Sequence, residues 1–279
     1  MTLMKWRNTA AYAALTCAAI LFVYPLIWLF FSSFKSNAEI FQSLRLFPMT
    51  FTLEGYMKGW LGTGQFTFGL FFRNSFWLAI PTVLLTTISC VFVAYGFARF
   101  KFPFHKTLFA LMLSTLMMPQ TVVIVPRYIL FKHLGWLDSY MPFYIPALLG
   151  GSAFYIFMQY QFLRGLTKEL DESAIMDGCS SFGILTKILI PLSKPAIVSA
   201  AIFNFMWCWN EFFSVLIYIS SVKKFTVSLG LHMMQVLDAA TSWNQIMAMS
   251  VLSIIPGVLV FLFAQRYFVE GIATTGIKG

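Results

Sequence analysis

Six separate stretches of this chain stay apolar long enough to cross a lipid bilayer: residues 10–34, 75–98, 107–131, 143–163, 196–219 and 246–268. A spanning helix needs about 20 such residues, because a rise of about 1.5 Å per residue must cover about 30 Å of hydrocarbon. Inside that layer no water is left to bond backbone N–H and C=O groups, so a span must be a helix or part of a closed barrel. Barrel strands read as short alternating segments. These runs are continuous, which selects helices. Composition agrees, with 59% of residues hydrophobic and 10% charged, against roughly 45–50% and 25% in a soluble domain. The expected fold is all-α and membrane-integral: six transmembrane helices forming a single domain over residues 1–279.

Lys5 and Arg7 precede the first run as they do in a secretory signal. The run is too long for one and lacks a small-x-small cleavage site, so it is expected to stay as the first helix. The net charge of +9 does not indicate nucleic acid here, because in a membrane protein Lys and Arg report orientation. Put the N-terminus in the cytoplasm. Eleven of the 19 Lys and Arg then fall inside, among them Arg99, Lys101, Lys106, Arg164, Lys168, Lys187, Lys194, Arg266 and Lys278. Eight fall outside, among them Lys35, Arg45, Lys58, Arg127, Lys223 and Lys224. The bias favours both termini inside. Residues 35–68 then form an extracytoplasmic loop, residues 164–195 a cytoplasmic one, and residues 269–279 a cytoplasmic tail. Pro48, Gly55, Gly59, Gly62 and Gly64 argue against a long helix in the first of these.

Cys17, Cys90, Cys179 and Cys208 form no CxxC pair and read as small packing residues. His105, His133 and His232 are scattered, so no metal site is expected. Pro81, Pro119, Pro126, Pro146 and Pro256 fall within the apolar runs. Each removes a backbone donor and tends to kink its helix. Arg127, near the outer end of the third run, is placed to snorkel to the interface.

The cytoplasmic loop carries the most specific pattern. Thr167 reads as an N-cap, and Glu169, Asp171 and Glu172 crowd a first turn, where the helix dipole favours anions. Gly178 fits the position after a helix that turns left-handed. Ser180 can cap a second short helix, with Phe182, Leu185 and Leu189 on its apolar side and Pro191 stopping it. The result is two short helices joined by a small-residue elbow. Such a pair either docks into a cleft of a partner or lies on the membrane as an ordinary interfacial pair.

This segment resembles the EAA loop of permease subunits of bacterial ABC importers: Glu-Ala-Ala, three residues, Gly, nine residues, Ile-x-Leu-Pro. Glu172, Ala174, Gly178, Ile188 and Pro191 match it; Ser173 and Ile190 depart from it conservatively. Further stretches are similar to the carbohydrate branch of that family and to the smaller permeases of maltose-type transporters. They include Tyr95-Gly-Phe-Ala-Arg-Phe100, Trp207-Cys-Trp-Asn-Glu-Phe-Phe213 and the tail from Gln265 to Gly279. The resemblance implies a permease in a bacterial inner membrane, with a second permease subunit, a cytoplasmic ATPase dimer and an extracytoplasmic solute-binding protein. It implies that the ATPase holds ATP and Mg; this chain has no Gly-x-x-x-x-Gly-Lys-Ser/Thr phosphate loop and no cofactor of its own is expected. Glu172, Ser173, Ala174, Asp177, Gly178, Phe182, Ile188 and Pro191 would couple to the ATPase, and Gly276, Lys278 and Gly279 of the tail would touch it. The implied cargo is an oligosaccharide or a related sugar, with a polyamine or a sugar phosphate as alternatives.

The fifth run places Asn210 and Glu211 among Trp207, Trp209, Phe212 and Phe213. Charges in a span face the bundle interior or water. Indole faces beside an amide and a carboxylate suit a sugar pathway; the same polar pair also suits an interhelical bond to a partner chain. An ion-coupled secondary transporter would need inverted repeats and usually several intramembrane carboxylates, whereas Glu211 stands alone and no repeat is visible. The six-span reading has a direct test. Cysteines placed at Lys58 and Lys223 should react with an impermeant reagent in intact cells, and cysteines at Glu172 and Lys278 should not. Labelling of position 172 from outside would overturn it.

Overall fold

The computed structural model describes residues 2–43, 45–62, 65–237 and 242–276, and every regular element among them is helical. In chain order they are α1 (Thr2–Ser32), α2 (Asn37–Gln42), α3 (Glu54–Leu61), α4 (Phe68–Arg99), α5 (His105–Leu116), α6 (Gln120–His133), α7 (Met141–Leu148) and α8 (Ala153–Gly165). Then follow α9 (Glu169–Met176), α10 (Ser181–Ile184), a π turn (Leu185–Leu189), α11 (Ile190–Leu192), α12 (Lys194–Asn210) and α13 (Phe213–Tyr218). A 3₁₀ turn (Val222–Lys224), α14 (Val227–Leu237) and α15 (Trp243–Gly276) complete the series. Four helical segments are each long and apolar enough to cross a membrane: Ala11–Ser32, Phe68–Arg99, Met141–Gly165 and Trp243–Gln265. Two bent pairs raise the number to six if each is one span: α5 with α6, and Ser181–Leu192 with α12.

Three of the apolar runs are broken rather than merely kinked. The third run, 107–131, divides at Pro119 into α5 and α6, which meet at 105°. Pro119 has no N–H to donate and disfavours helical geometry at Met118, so the helix ends one turn early and restarts after it. The fourth run is interrupted at residues 149–152, where Gly150 takes a positive φ of 73°. The fifth run, 196–219, breaks after Asn210: Glu211 is extended, with ψ 118°, and α13 begins at Phe213.

The chain divides into two compact units, residues 1–70 with 230–255 and residues 71–229 with 256–279. In the first unit, none of the apolar window of α1 is buried. Only lipid or another protein chain can cover such a surface. The loop over 35–68 holds two short helices, α2 and α3. Gly55 and Gly59 of α3 are buried, and a Cβ on Gly55 would stand 2.6 Å from the carbonyl oxygen of Asn244. The helix that holds these glycines is short, and they are points of close helix approach.

The second unit has a core of Cys90, Ala94 and Tyr95 from α4, Ile156 and Leu163 from α8, Ala174 from α9, Ile184, Leu185 and Leu189 from the second loop helix, and Ala200 from α12. Ser89 Oγ donates to Ala147 O at 2.6 Å and Gln159 Nε2 to Ala196 O at 3.1 Å, so polar side chains also tie the helices together. At the end of the unit away from the loop helices in sequence, Asp138 organises two connections. The N–H groups of Ser220 and Ser221 donate to its Oδ1 at 3.1 and 2.9 Å. Ser221 Oγ and Lys224 Nζ donate to its Oδ2 at 2.6 and 3.0 Å. Burial works to raise the pKa of this carboxyl, but the Ser221, Lys224 and Ser220 bonds outweigh it and hold the pKa well below the ordinary carboxylate range.

A depressed carboxylate pKa adds stability that is complete above the unfolded value, about 4, and is lost as pH falls below it. Asp138→Asn should therefore lower the unfolding midpoint of the detergent-purified protein at pH 7, by a loss of about 2 kcal/mol for charge-assisted hydrogen bonds. The gap to wild type should narrow as pH drops below about 4. Equal midpoints at pH 7 would contradict this role.

Candidate coupling loop and polar cavity

The loop over 164–195 is the elbow that the sequence describes, with its details changed. α9 starts one residue later than a Thr167 cap would give: Lys168 is the N-cap and no side chain caps it. Its C-terminus closes as a Schellman motif, in which Cys179 N–H donates to Ala174 O at 2.9 Å and Gly178 N–H to Ile175 O at 2.9 Å. Gly178 sits between them at φ 76°, a left-handed conformation, and a Cβ there would meet nothing within 4 Å. Backbone conformation, not crowding, requires glycine here. Ser180 then caps α10, accepting from Gly183 N–H at 3.2 Å.

Pro191 does not stop the second helix. The five residues Leu185–Leu189 form a π turn, and Ile190 N–H reaches back to Leu185 O. The wider turn leaves room for a proline without an N–H, so the helix continues through Leu192. Leu185 and Leu189 are buried as expected, but Phe182 is 62% exposed and stacks on Phe92 of α4 at 6.4 Å. Ala174 is buried and Ile188 half-buried. Glu172, Ser173, Asp177, Gly178 and Pro191 are exposed, as are Ile175 and Met176 at the tip. Ser173 Oγ bonds back to Glu169 O at 2.8 Å. The elbow thus presents two apolar side chains, two carboxylates and a bare glycine backbone.

What fixes the elbow to the bundle is a set of residues on α4 that motif reading left without a role. Arg99 Nε stands 2.6 Å from Asp171 Oδ2, with both side chains largely buried. Arg99 Nη2 also donates to Leu166 O at 3.2 Å, and Tyr95 Oη donates to Ser181 O at 3.0 Å. Burial raises the Asp171 pKa, and the Arg99 charge opposes the shift without cancelling it. Tyr95 and Arg99 are four apart on one helix, hence on one face; that spacing was the legible signal. One residue holds α9 and the other holds α10.

The second feature is a polar cavity of about 180 Å³ where the interrupted helices converge. Gln120 after the Pro119 break, Ser152 within the break at 149–152, and Glu211 at the α12 break all line it. So do Thr82, Arg127 and Asn204. Asn204 is 5% exposed and its Nδ2 has no partner. Glu211 Oε1 accepts from Ser214 N–H at 2.8 Å and caps α13. Arg127, an exposed side chain, also lines this cavity.

A neighbouring groove of about 580 Å³ shares Gln120, Trp207 and Glu211 with the cavity and adds Asn210 and Phe213. Asn210 Nδ2 donates to Met206 O at 2.8 Å. Of the four residues expected on a pathway, Trp207, Asn210 and Glu211 therefore meet at one place. Trp209 lies elsewhere, 4% exposed and packed against Phe72, Phe76 and Phe205. Among the described residues no group of three or more His, Cys, Asp or Glu is placed to hold a metal. Gly276 ends α15, while Lys278 and Gly279 lie outside the described residues.

Spanning helices around a polar cavity, with an exposed elbow mounted on one connection, define a membrane transport subunit. The family of binding-protein-dependent transport system inner membrane components matches residues 4–274, and the chain belongs to it: it is an ABC importer permease. An arabinooligosaccharide transport permease, AraQ of Halalkalibacterium halodurans, is 31% identical over 99% of this chain and 98% of its own length. The trehalose/maltose permease MalG of Thermococcus litoralis is 30% identical over 94% and 93%. A solved bacterial ABC transporter involved in import of the acidic polysaccharide alginate has the same fold, with a TM-score of 0.84, 22% identity and coverage of 95% and 97%.

The elbow generates a sharp expectation. A non-glycine residue at φ 76° is strained by about 1–2 kcal/mol, and a β-branched one more, while Asn tolerates the conformation. Gly178→Val should reach the membrane at normal levels but fail in uptake, and Gly178→Asn should keep most of it. Normal uptake by the valine variant would remove Gly178 from the mechanism.

Proposed function

We propose that this chain imports a carbohydrate, more readily an oligosaccharide than a monosaccharide, with a second permease, an ATPase dimer that binds ATP and Mg, and an extracytoplasmic solute-binding protein. Both termini and the α9–α11 loop lie in the cytoplasm in this reading. The observation that carries it is the elbow: exposed Ile175, Met176, Asp177 and Gly178 stand on a loop anchored by Arg99 and Tyr95. Closure of the ATPase dimer on ATP would push this elbow as one body with α4 and exchange inward and outward access. Glu172 and Asp177 would pair with basic groups of the ATPase.

The sugar reading is supported by the transport names of the relatives and by Trp207, Asn210 and Glu211 meeting at one groove. A sugar offers apolar ring faces for the indole and hydroxyls for the amide and carboxylate. Arg127 on the adjoining cavity favours a second reading, an acidic or phosphorylated sugar. Cells lacking this chain, screened over neutral sugars, sugar phosphates, acidic sugars and polyamines, decide between them. Loss of neutral oligosaccharide uptake alone is the expected result, together with co-purification of a second permease and an ATPase in mild detergent. Loss of a polyamine alone, with every sugar still transported, would end the carbohydrate reading.

A further inference from the structure

A pocket of about 510 Å³ lies beside the mount of the coupling loop and shares Arg99 with it. Five basic side chains line it: Arg99 at the end of α4, Lys101 and Lys106 around the start of α5, Arg164 at the end of α8, and Lys168 at the start of α9. No carboxylate lines it. Asp171 neutralises Arg99, which leaves four cations. Lys101, Lys106, Arg164 and Lys168 are all exposed, and none is in an ion pair among the described residues. Four cations held close together repel one another unless an anion lies between them.

The rest of the wall is mostly apolar, with Phe97, Phe109, Leu113 and the ring of Tyr160, and includes His105, whose Nε2 lies 2.9 Å from Phe97 O. The first turn of α5 carries no acidic residue, and no side chain caps its N-terminus at Phe104. That leaves the positive end of a 12-residue helix beside the basic cluster. On the same helix, outside the pocket's lining, Leu108 and Leu111 are exposed.

We propose that this pocket binds an anionic phospholipid. Its phosphate would sit among Lys101, Lys106, Arg164 and Lys168, and its acyl chains would run along α5. The charge selects an anionic headgroup, because basic residues near a membrane surface attract anionic lipid. The apolar walls and the exposed leucines distinguish a lipid from free phosphate, which has nothing to place against them. The site joins the α4–α5 turn to the first residues of α9, so an occupied pocket braces the connection through which the elbow is mounted. Lipid binding stands on the pocket alone; only this bracing consequence rests on the coupling reading.

The test uses the assembled transporter purified through this chain, stripped of lipid, with equal amounts of phosphatidylglycerol and phosphatidylcholine added and retained lipid counted by native mass spectrometry. Wild type should retain phosphatidylglycerol at least about fivefold over phosphatidylcholine. The triple variant Lys101→Gln, Lys106→Gln, Arg164→Gln should lose that preference, and the triple arginine-or-lysine swap Lys101→Arg, Lys106→Arg, Arg164→Lys should restore it. Millimolar inorganic phosphate should leave it unchanged. Equal retention of the two lipids, equal preference in wild type and the glutamine variant, or displacement by phosphate would each overturn the proposal. ATPase rates in discs with and without phosphatidylglycerol then test the bracing separately: a lipid-dependent rate that the glutamine variant loses supports it, and a rate indifferent to lipid despite selective retention removes it.

Discussion

The ion pair between Arg99 and Asp171 is the contact on which the account turns. It joins the end of a long spanning helix to the first turn of the elbow, in surroundings where both side chains are largely buried. Buried pairs of this kind add little net stability, because desolvation offsets most of the attraction. Removing one partner is costly, because the other charge is left without compensation. A contact with those energetics specifies position more than it stabilises. Tyr95, one turn earlier, does the same for α10 through the Ser181 carbonyl. With Ala174, Leu185 and Leu189 buried below, the elbow is built as part of the bundle, and only its tip is free to meet a partner.

A second constraint shapes the opposite feature. Irregular backbone is not tolerated against lipid, so helix breaks occur where protein or a polar cavity satisfies them. Three breaks, at Pro119, at residues 149–152 and at Glu211, contribute to the walls of one cavity. Glu211 illustrates the economy: it ends α12, caps α13 with its carboxylate, and lines the cavity. At about 180 Å³ the cavity is below the ~300–1,000 Å³ of ordinary ligand pockets. At that size it does not enclose an oligosaccharide. The unburied apolar surface of α1 is consistent with a chain that has neighbours.

Much of this was legible in the sequence because lipid reduces the choices. Continuous apolar runs gave the helices, and Gly178 with Ser180 gave the elbow, since a left-handed residue and a cap are local requirements. What escaped was long-range. Gly55 read only as an argument against a long helix, because sequence does not show that Asn244 lies against it. Pro191 read as a stop because a π turn is not visible in residue types. The cavity was half visible: Asn204, Trp207 or Cys208, and Glu211 are spaced three or four apart on one helix face. Gln120 and Thr82, which meet them, come from other helices. Trp209 looked like its neighbours in the Trp-Cys-Trp-Asn-Glu string, yet helix periodicity turns it into the core.

A mount of this kind predicts that the elbow and α4 move as one body. Spin labels at Met176, at the exposed tip, and at Ile88, on the exposed side of α4, report it directly. Pulsed distance measurements on the assembled transporter should give the same Met176–Ile88 distance without nucleotide and with ATP trapped, to within the ~2 Å of a helix shift. In the Arg99→Met variant the distance should broaden. A shift well beyond ~2 Å in the wild type on ATP binding, with the Arg99→Met variant behaving identically, would mean that the elbow swings on its own and that the Arg99–Asp171 mount transmits nothing.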